Sequence, residues 1–476
     1  MGLSNTVVAA FGVLALSGCA TAQEGAKTAA EFVRSGEALD TVAVSTVAGD
    51  LVGVHKDGVN VFRGVAYAQA PVGELRWTAT QAVKPWVGQR AAIAPESTCP
   101  QPIPEAPGAA NQGGVVGAQS EDCLYLDVFA PANARKAPVV VWLHGGGAFL
   151  GAGSLGSYDG TENAKKGVIT VPINYRLGPL GYFAHPALTA EGGASGSYAM
   201  MDAVEALKWV EANIESFGGD PDNVTIAGQS AGGLMVVDML STASAKGLFD
   251  KAVVQSGAIL MEGSSLEAAE ASAVEGLAML GVGADATADE LRSISPQTLS
   301  YNSKLRRGLG PILDGQFRDT STKAAVEAGA DNDVPVLVGS NGGEGGFDRA
   351  RDLARLVGKD GAKAFLYHFD YVPELRKEEW AKGPIHSAEM MFTFDSMATS
   401  AWAKGKSDAD DAAYAKLVSS CWVAFYKMDP RNEVLNCADG LRWTTHSEGS
   451  DAVAVFADDI TMGVSATFPD GPVSSD

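Results

Sequence analysis

Phe217-Gly-Gly-Asp-Pro-Asp-Asn-Val-Thr-Ile-Ala-Gly-Gln-Ser-Ala-Gly232 is the stretch that decides the fold. Val224 to Ala227 is short, apolar and β-branched, which predicts a strand. Gly228 to Gly232 predicts a sharp turn, and the residues beyond it a helix. A Gly-x-Ser-x-Gly at such a strand-to-helix junction is a nucleophile elbow. The turn is so tight that a Cβ at Gly228 or Gly232 would clash, and it strains the backbone of Ser230. That strain holds the Ser230 hydroxyl out at the carboxyl edge of a sheet. The helix that follows offers its free N–H groups to negative charge. A bare Gly-x-Ser-x-Gly arises often by chance. Here the strand, the helix and two partner motifs elsewhere in the chain give it weight.

Outward from this turn, apolar runs recur at Leu124–Phe129, Pro138–Leu143, Val168–Ile173, Lys251–Gln255, Val334–Val338 and Ala364–Phe369. Runs apolar on both faces predict strands buried on both sides, hence an α/β fold with a mostly parallel central sheet flanked by helices. Thr41–Thr46 and Val52–Val54 predict a first hairpin. Met201, Val204, Leu207, Trp209 and Val210 recur with helical spacing over Tyr198–Phe217, and Gly218-Gly219 stops that helix. Leu266–Leu280 and Ala286–Ser293 predict helices in an insertion. Residues 100 to 119 are rich in Pro and Gly and read as a surface loop. The chain shows no internal repeat and no second compact domain, so residues 41–466 read as one domain with a tail at 467–476.

The bulk numbers exclude several classes. The 476 residues are 46% hydrophobic, enough for a large core and too many for disorder. The net charge of −22 disfavours nucleic acid and anionic lipid as partners. Val7–Leu16 is an apolar run too short to span a membrane as a helix, and residues 1–22 read as a signal peptide. Two cleavages compete there. Leu16-Ser-Gly-Cys19 resembles a lipobox that leaves a lipidated Cys19, whereas Ala20-Thr-Ala22 would release a soluble protein. No Lys or Arg precedes Lys27, which weakens both equally. Both imply export, to the periplasm, the outside or the outer membrane. Residues 23–40 read as a polar tether. In an oxidising compartment the other four cysteines predict two disulfides, Cys99–Cys123 and Cys421–Cys437. No pair has the spacing of a zinc or redox site.

A serine hydroxyl needs a base, and the base a carboxylate to orient it. With a nucleophile elbow the chain order is serine, acid, histidine. His55, His144 and His185 precede Ser230, so His368, His386 and His446 remain. His386 lies in a loop, where a positioned base is expected. His368 reads as a partly buried strand residue and His446 as a surface one. The acid belongs just after a late strand, and Gly339-Ser-Asn-Gly-Gly-Glu-Gly345 puts Glu344 there. Position alone leaves two readings of Glu344, a triad acid or a solvated loop glutamate. In Val141-Trp-Leu-His-Gly-Gly-Gly147 a Gly run follows a buried strand. The N–H groups of Gly146, Gly147 and Ala231 could then form an oxyanion hole. No Gly-Lys-Ser/Thr makes a P-loop and no G-x-G-x-x-G opens the first strand-turn-helix unit.

Taken together these residues resemble the type-B carboxylesterase/lipase family of the α/β-hydrolase fold, which includes the cholinesterases. The likeness runs from about Thr41 to Asp459, through Phe62–Tyr67, Pro71–Trp77, Glu121–Pro131 and Phe217–Gly232. It implies Glu344 as the acid and His386 as the base, with Glu389 completing a His-x-x-Glu. It further implies an Arg76–Glu121 ion pair, a Cys99–Cys123 disulfide and a supporting role for Ser256. Cys421–Cys437 has no counterpart to carry over. Gln229 stands where the family has Glu, which removes a charge and argues against cationic esters. Ala148 replaces a common aromatic, with Phe149 next, and a short segment between Ile259 and Leu309 implies a more open gorge. The resemblance implies a serine ester hydrolase that needs no cofactor and no metal and takes a small-molecule ester. A membrane contact would come only through Cys19. The alternatives are a non-catalytic interaction protein on the same fold, or a hydrolase of an amide, lactone or bulky natural-product ester.

Overall fold

The computed structural model describes residues 39–103, 117–306, 309–359, 361–447 and 449–465. The signal segment, Cys19, nearly all of the tether, most of the Pro/Gly-rich loop and the tail after residue 465 lie outside the described residues. Strands β1 (Thr41–Ser45), β2 (Asp50–Lys56) and β3 (Val59–Ala66) open the main sheet, with the short β4 (Gln89–Ala91) against β2. They are followed by β5 (Tyr125–Pro131), β6 (Ala137–Leu143), β7 (Ile169–Ile173), β8 (Gly219–Gln229) and β9 (Lys251–Gln255). The two-residue strands β10 (Ser264–Ser265) and β11 (Ile312–Leu313) pair on their own. Strands β12 (Val336–Asn341) and β13 (Ala364–Phe369) return to the main sheet. A separate hairpin of β14 (Val434–Asn436) and β15 (Arg442–Thr444) precedes β16 (Ala452–Phe456) and β17 (Ile460–Val464). The sheet runs β1-β2-β3-β5-β7-β6-β8-β9-β12-β13-β16-β17.

From β7 to β16 every neighbouring pair is parallel. The strands before β7 and the last strand pair antiparallel, apart from the short β4, which runs parallel to β2. The sheet is therefore mixed, and the apolar run at β5, expected among the parallel strands, pairs antiparallel on both sides. Burial on both faces sets how apolar a strand is, not its direction. Strand side chains alternate between faces, and β6 shows the result. Val139, Val141 and Leu143 enter one core, Val140 and Trp142 the other. The first core includes the helices Tyr198–Asn213, Ala231–Leu240 and Phe347–Lys359. The second packs under the helix Ala409–Lys427.

The helix expected over Tyr198–Phe217 is α-helical to Asn213, tightens to a 3-10 turn over Ile214–Phe217 and stops at Gly218, φ 85°. The insertion helices span Leu266–Ala278 and Ala288–Ser293, the second with a Thr287/Glu290 capping box. They share a third core with Trp77, Phe183 and Tyr198. Arg76 locks that insertion down. Its guanidinium grips Glu121 through two bonds of 2.5 Å and donates to the carbonyls of Arg292 and Ile294 at 2.8 and 2.7 Å. His446, expected at the surface, is instead 2% exposed. Its N–H donates to the Ala364 carbonyl at 2.7 Å, and its ring bonds the Ala452 carbonyl, so it ties β13 to β16. The polar residues around it gave no hint of a strand on either side.

Both expected disulfides form, Cys99–Cys123 and Cys421–Cys437. The second ties the helix Ala409–Lys427 to the end of β14. The first closes a loop of 24 residues. Its loss should cost about 3 kcal/mol through the added freedom of the unfolded chain. A Cys99→Ala/Cys123→Ala protein should lose that amount of unfolding free energy in urea melts and so show a lower midpoint than wild type, and an unchanged midpoint would refute the assignment.

Candidate active site

Ser230 ends β8 and caps the helix Ala231–Leu240, with φ 56° and ψ −125°. No L residue rests there without support, and such a conformation costs about 1–3 kcal/mol. Support comes from the sheet, because the Ser230 N–H donates to the Gln255 carbonyl of β9 at 2.8 Å. Packing supplies the rest. A Cβ on Gly232 would run into the Leu143 carbonyl, and one on Gly228 into the carbonyl of Gly232. The elbow forecast from sequence is the one observed.

The Gly run after β6 lies against this turn. A Cβ on Gly145 would stand 3.0 Å from the Cβ of Ser230. Gly146 and Gly147 adopt φ 110° and 61°, followed by Ala148 at 62°. Among the described residues, no hydrogen bond uses the N–H groups of Gly146, Gly147 or Ala231. His144, just before the run, is fully buried and stacked on Tyr175. Burial pushes its pKa down to about 4, so the ring stays neutral and holds the Gly145 carbonyl at 2.7 Å.

Glu344 and His386 meet. His386 Nδ1 hydrogen-bonds Glu344 Oε2. The other carboxylate oxygen, Oε1, accepts from Ser256 Oγ at 2.5 Å and from the Asn341 N–H at 2.7 Å. Glu344 is thus held as an acceptor between Ser256, Asn341 and His386. Ser256 supports it from a left-handed backbone, φ 51°. Because a carboxylate can only accept, Nδ1 carries the proton and Nε2 the lone pair. That lone pair faces the Gln229 amide, Nε2 to Nε2 at 3.2 Å. Among the described residues, the Ser230 hydroxyl makes no bond to the ring. Gln229 therefore does more than remove a charge, since its N–H covers the nitrogen that a nucleophile would need.

Glu389 does not touch the imidazole. It is fully buried and accepts from Asn341 Nδ2 at 2.5 Å and Gln255 Nε2 at 3.2 Å. Burial, then repulsion from Glu344, pushes its pKa up to about 7. Burial works against a proton on His386, but the hydrogen bond and charge of Glu344, with Glu389 beyond, outweigh it. Its pKa therefore stands above the ordinary value. Asn341, Gln255 and Trp422, which donates to Gln255 at 3.2 Å, were not singled out from sequence. The only signal was a polar residue ending each of two apolar strands. His368 is the half-buried strand residue expected, against Phe347. No cluster of three or more His, Cys, Asp or Glu among the described residues is placed to hold a metal.

The arrangement can hold one histidine neutral at Nε2 beside a strained serine. An NMR titration of the His386 ring checks its charge balance. Glu344→Gln should lower the ring pKa relative to wild type, and an unchanged value would refute the pairing.

The model of the carboxylesterase family matches residues 39–356. The chain is 31% identical to the para-nitrobenzyl esterase of Bacillus subtilis, over 88% of this chain and 95% of that protein. It is 38% identical to the fumonisin B1 esterase of Sphingopyxis macrogoltabida, over 63% of this chain and 56% of that protein's length. The phenmedipham hydrolase of Pseudarthrobacter oxydans is 29% identical over 87% of this chain and 94% of its own. Among solved structures, a thermophilic PNB esterase superposes with a TM-score of 0.78 at 29% identity, covering 88% of this chain and 97% of that one. A match through both the elbow strand and the Glu344 loop, with full-length likeness to an esterase, means that this chain belongs to the carboxylesterase family.

Proposed function

We propose that this carboxylesterase cleaves its ester through Ser230, His386 and Glu344. The substrate carbonyl enters between Ser230 and the Gly146–Gly147 loop. Ser230 Oγ takes over His386 Nε2 from the Gln229 amide and passes its proton there as it attacks. The N–H groups of Gly146, Gly147 and Ala231 receive the charge that develops on the carbonyl oxygen. The imidazolium is held by Glu344 and returns the proton to the leaving alcohol. Water then attacks the acyl-enzyme by the same route, and Ser230 is regenerated. The observation that carries this reading is the His386–Glu344 bond beside a serine at φ 56°.

The substrate is a small-molecule ester. Relatives named for fumonisin B1 and phenmedipham favour a site that tolerates bulky groups. We also infer export, by the signal segment at 1–22. The paired cysteines support it, since disulfides persist in oxidising compartments. A mature chain starting at Gln23 would fit release. One starting at a lipid-modified Cys19 would fit anchoring, and an uncleaved Met1 would sink the inference.

Labelling with a fluorophosphonate, read by intact mass, tests the nucleophile. Wild type should gain one adduct and Ser230→Ala none, with ester turnover down roughly 10⁴-fold or more. A variant near wild-type activity would overturn the assignment. Only neutral His386 can take the proton, so kcat/KM should rise as pH climbs through its pKa. Glu389→Gln removes a charge that raises that pKa, so the acid limb should move to lower pH. Gln229→Glu puts a carboxylate beside Nε2, so the limb should move to higher pH. Limbs that stay put in both variants would refute the electrostatic account.

A further inference from the structure

Arg306 is set close to this site and, among the described residues, has no acid to answer it. The Phe149 ring packs on the Gly run, and a Cβ on Gly147 would lie 2.7 Å from its Cε1. The Arg306 guanidinium stands over that ring, 5.0 Å from its centroid. The cation is therefore one aromatic ring away from the loop facing Ser230. Its backbone is anchored. The Arg306 N–H donates to the Asn302 carbonyl at 3.2 Å, and the preceding Leu305 is buried in the third core. Arg306 Nε is shut off from solvent and has no hydrogen-bond partner among the described residues.

The chain has 57 acidic residues against 35 basic ones, and its most buried arginines are paired. Arg76, Arg176, Arg318 and Arg376 are buried, and each faces a carboxylate. Among the described residues, Arg306 has a ring face and no carboxylate. The ring face supplies no hydrogen-bond acceptor at its edge, and a guanidinium's planar fork takes a carboxylate with two parallel bonds. A buried donor left without a partner costs free energy that a ligand's acceptor can recover.

We propose that Arg306 recognises a carboxylate carried by the ester itself, so that the enzyme prefers esters bearing a free acid group. This rests on the reading of Ser230 as nucleophile. The acid could sit on the acyl side or the alcohol side of the ester, since both radiate from the same carbonyl carbon. Two substrate pairs separate them. Mono-4-nitrophenyl adipate against its methyl ester probes the acyl side, and 4-acetoxybenzoate against its methyl ester probes the alcohol side.

Wild type should favour the charged member of at least one pair in kcat/KM. Arg306→Met keeps the packing on Phe149 and should cut that preference about tenfold or more, with the neutral esters turned over as before. Arg306→Lys should keep part of it. The same charged-to-neutral ratio in wild type and Arg306→Met, for both pairs, overturns the proposal. Binding of monomethyl adipate to the Ser230→Ala protein, followed by calorimetry, needs no turnover. There Arg306→Met should weaken binding about tenfold, and equal affinity with and without Arg306, both for monomethyl adipate and for 4-acetoxybenzoate, again overturns the proposal. Failure of all ester turnover in wild type would instead strike the assignment of Ser230, while the calorimetry still decides the role of Arg306.

Discussion

The left-handed backbone at Ser230 is the constraint on which the rest of the site depends. It exists only because three things coincide. A sheet bond holds the Ser230 N–H to β9. A helix begins at the next residue. Two glycines leave the room that carbonyl groups of Leu143 and Gly232 would otherwise deny. The strain is offset by the stability of a sheet whose central strands are buried on both faces. Turning the chain so sharply sets Ser230 against the Gly run after β6, where a Cβ on Gly145 would stand 3.0 Å from the Ser230 Cβ. It also turns the Gln229 side chain into the wall of the site, onto the base.

A knot of polar groups does the matching work on the acid side. Glu344 spends one oxygen on Ser256 and Asn341 and the other on His386. Asn341 then reaches Glu389, and Gln255 joins Glu389 to Trp422. Two carboxylates held this close raise the proton affinity of what lies between and around them. Glu389 responds with a pKa pushed up to about 7. His386 responds by holding a proton more readily than a free imidazole. Against that pull, burial of the ring disfavours its charged form, and the Gln229 amide faces Nε2. The base is therefore set by opposing neighbours, and a substrate that draws Ser230 onto Nε2 shifts the balance by displacing one of them.

Much of this was legible before any coordinates. Apolar runs marked seven strands and the helix Tyr198–Asn213, and the Gly-flanked Ser230 marked the elbow. The strands β3, β16 and β17 and the long helix Ala409–Lys427 were not singled out. β16 is a five-residue run among acidic neighbours, and its pairing to β13 crosses more than eighty residues, so nothing local announces it. Strand direction failed at β5 for a related reason, since hydrophobicity reports burial and not orientation. His446 was misread because its partners, the carbonyls of Ala364 and Ala452, are backbone groups that leave no mark on side-chain pattern.

The sequence by itself determined the residues that must be what they are for local reasons. The Gly228–Ser230–Gly232 turn, the Gly run after β6 and the alternation of strand side chains are all set within a few positions of each other. Only the tertiary structure decided which distant groups share a hydrogen bond. It put Glu344 rather than solvent on His386, Gln229 rather than Ser230 on the free nitrogen, Glu389 beyond the ring instead of against it, and Arg306 over Phe149. The physical reason is range. Turn strain and strand periodicity act between neighbours in the chain, whereas the pairing of charges depends on directions and distances that the packed sheet alone fixes.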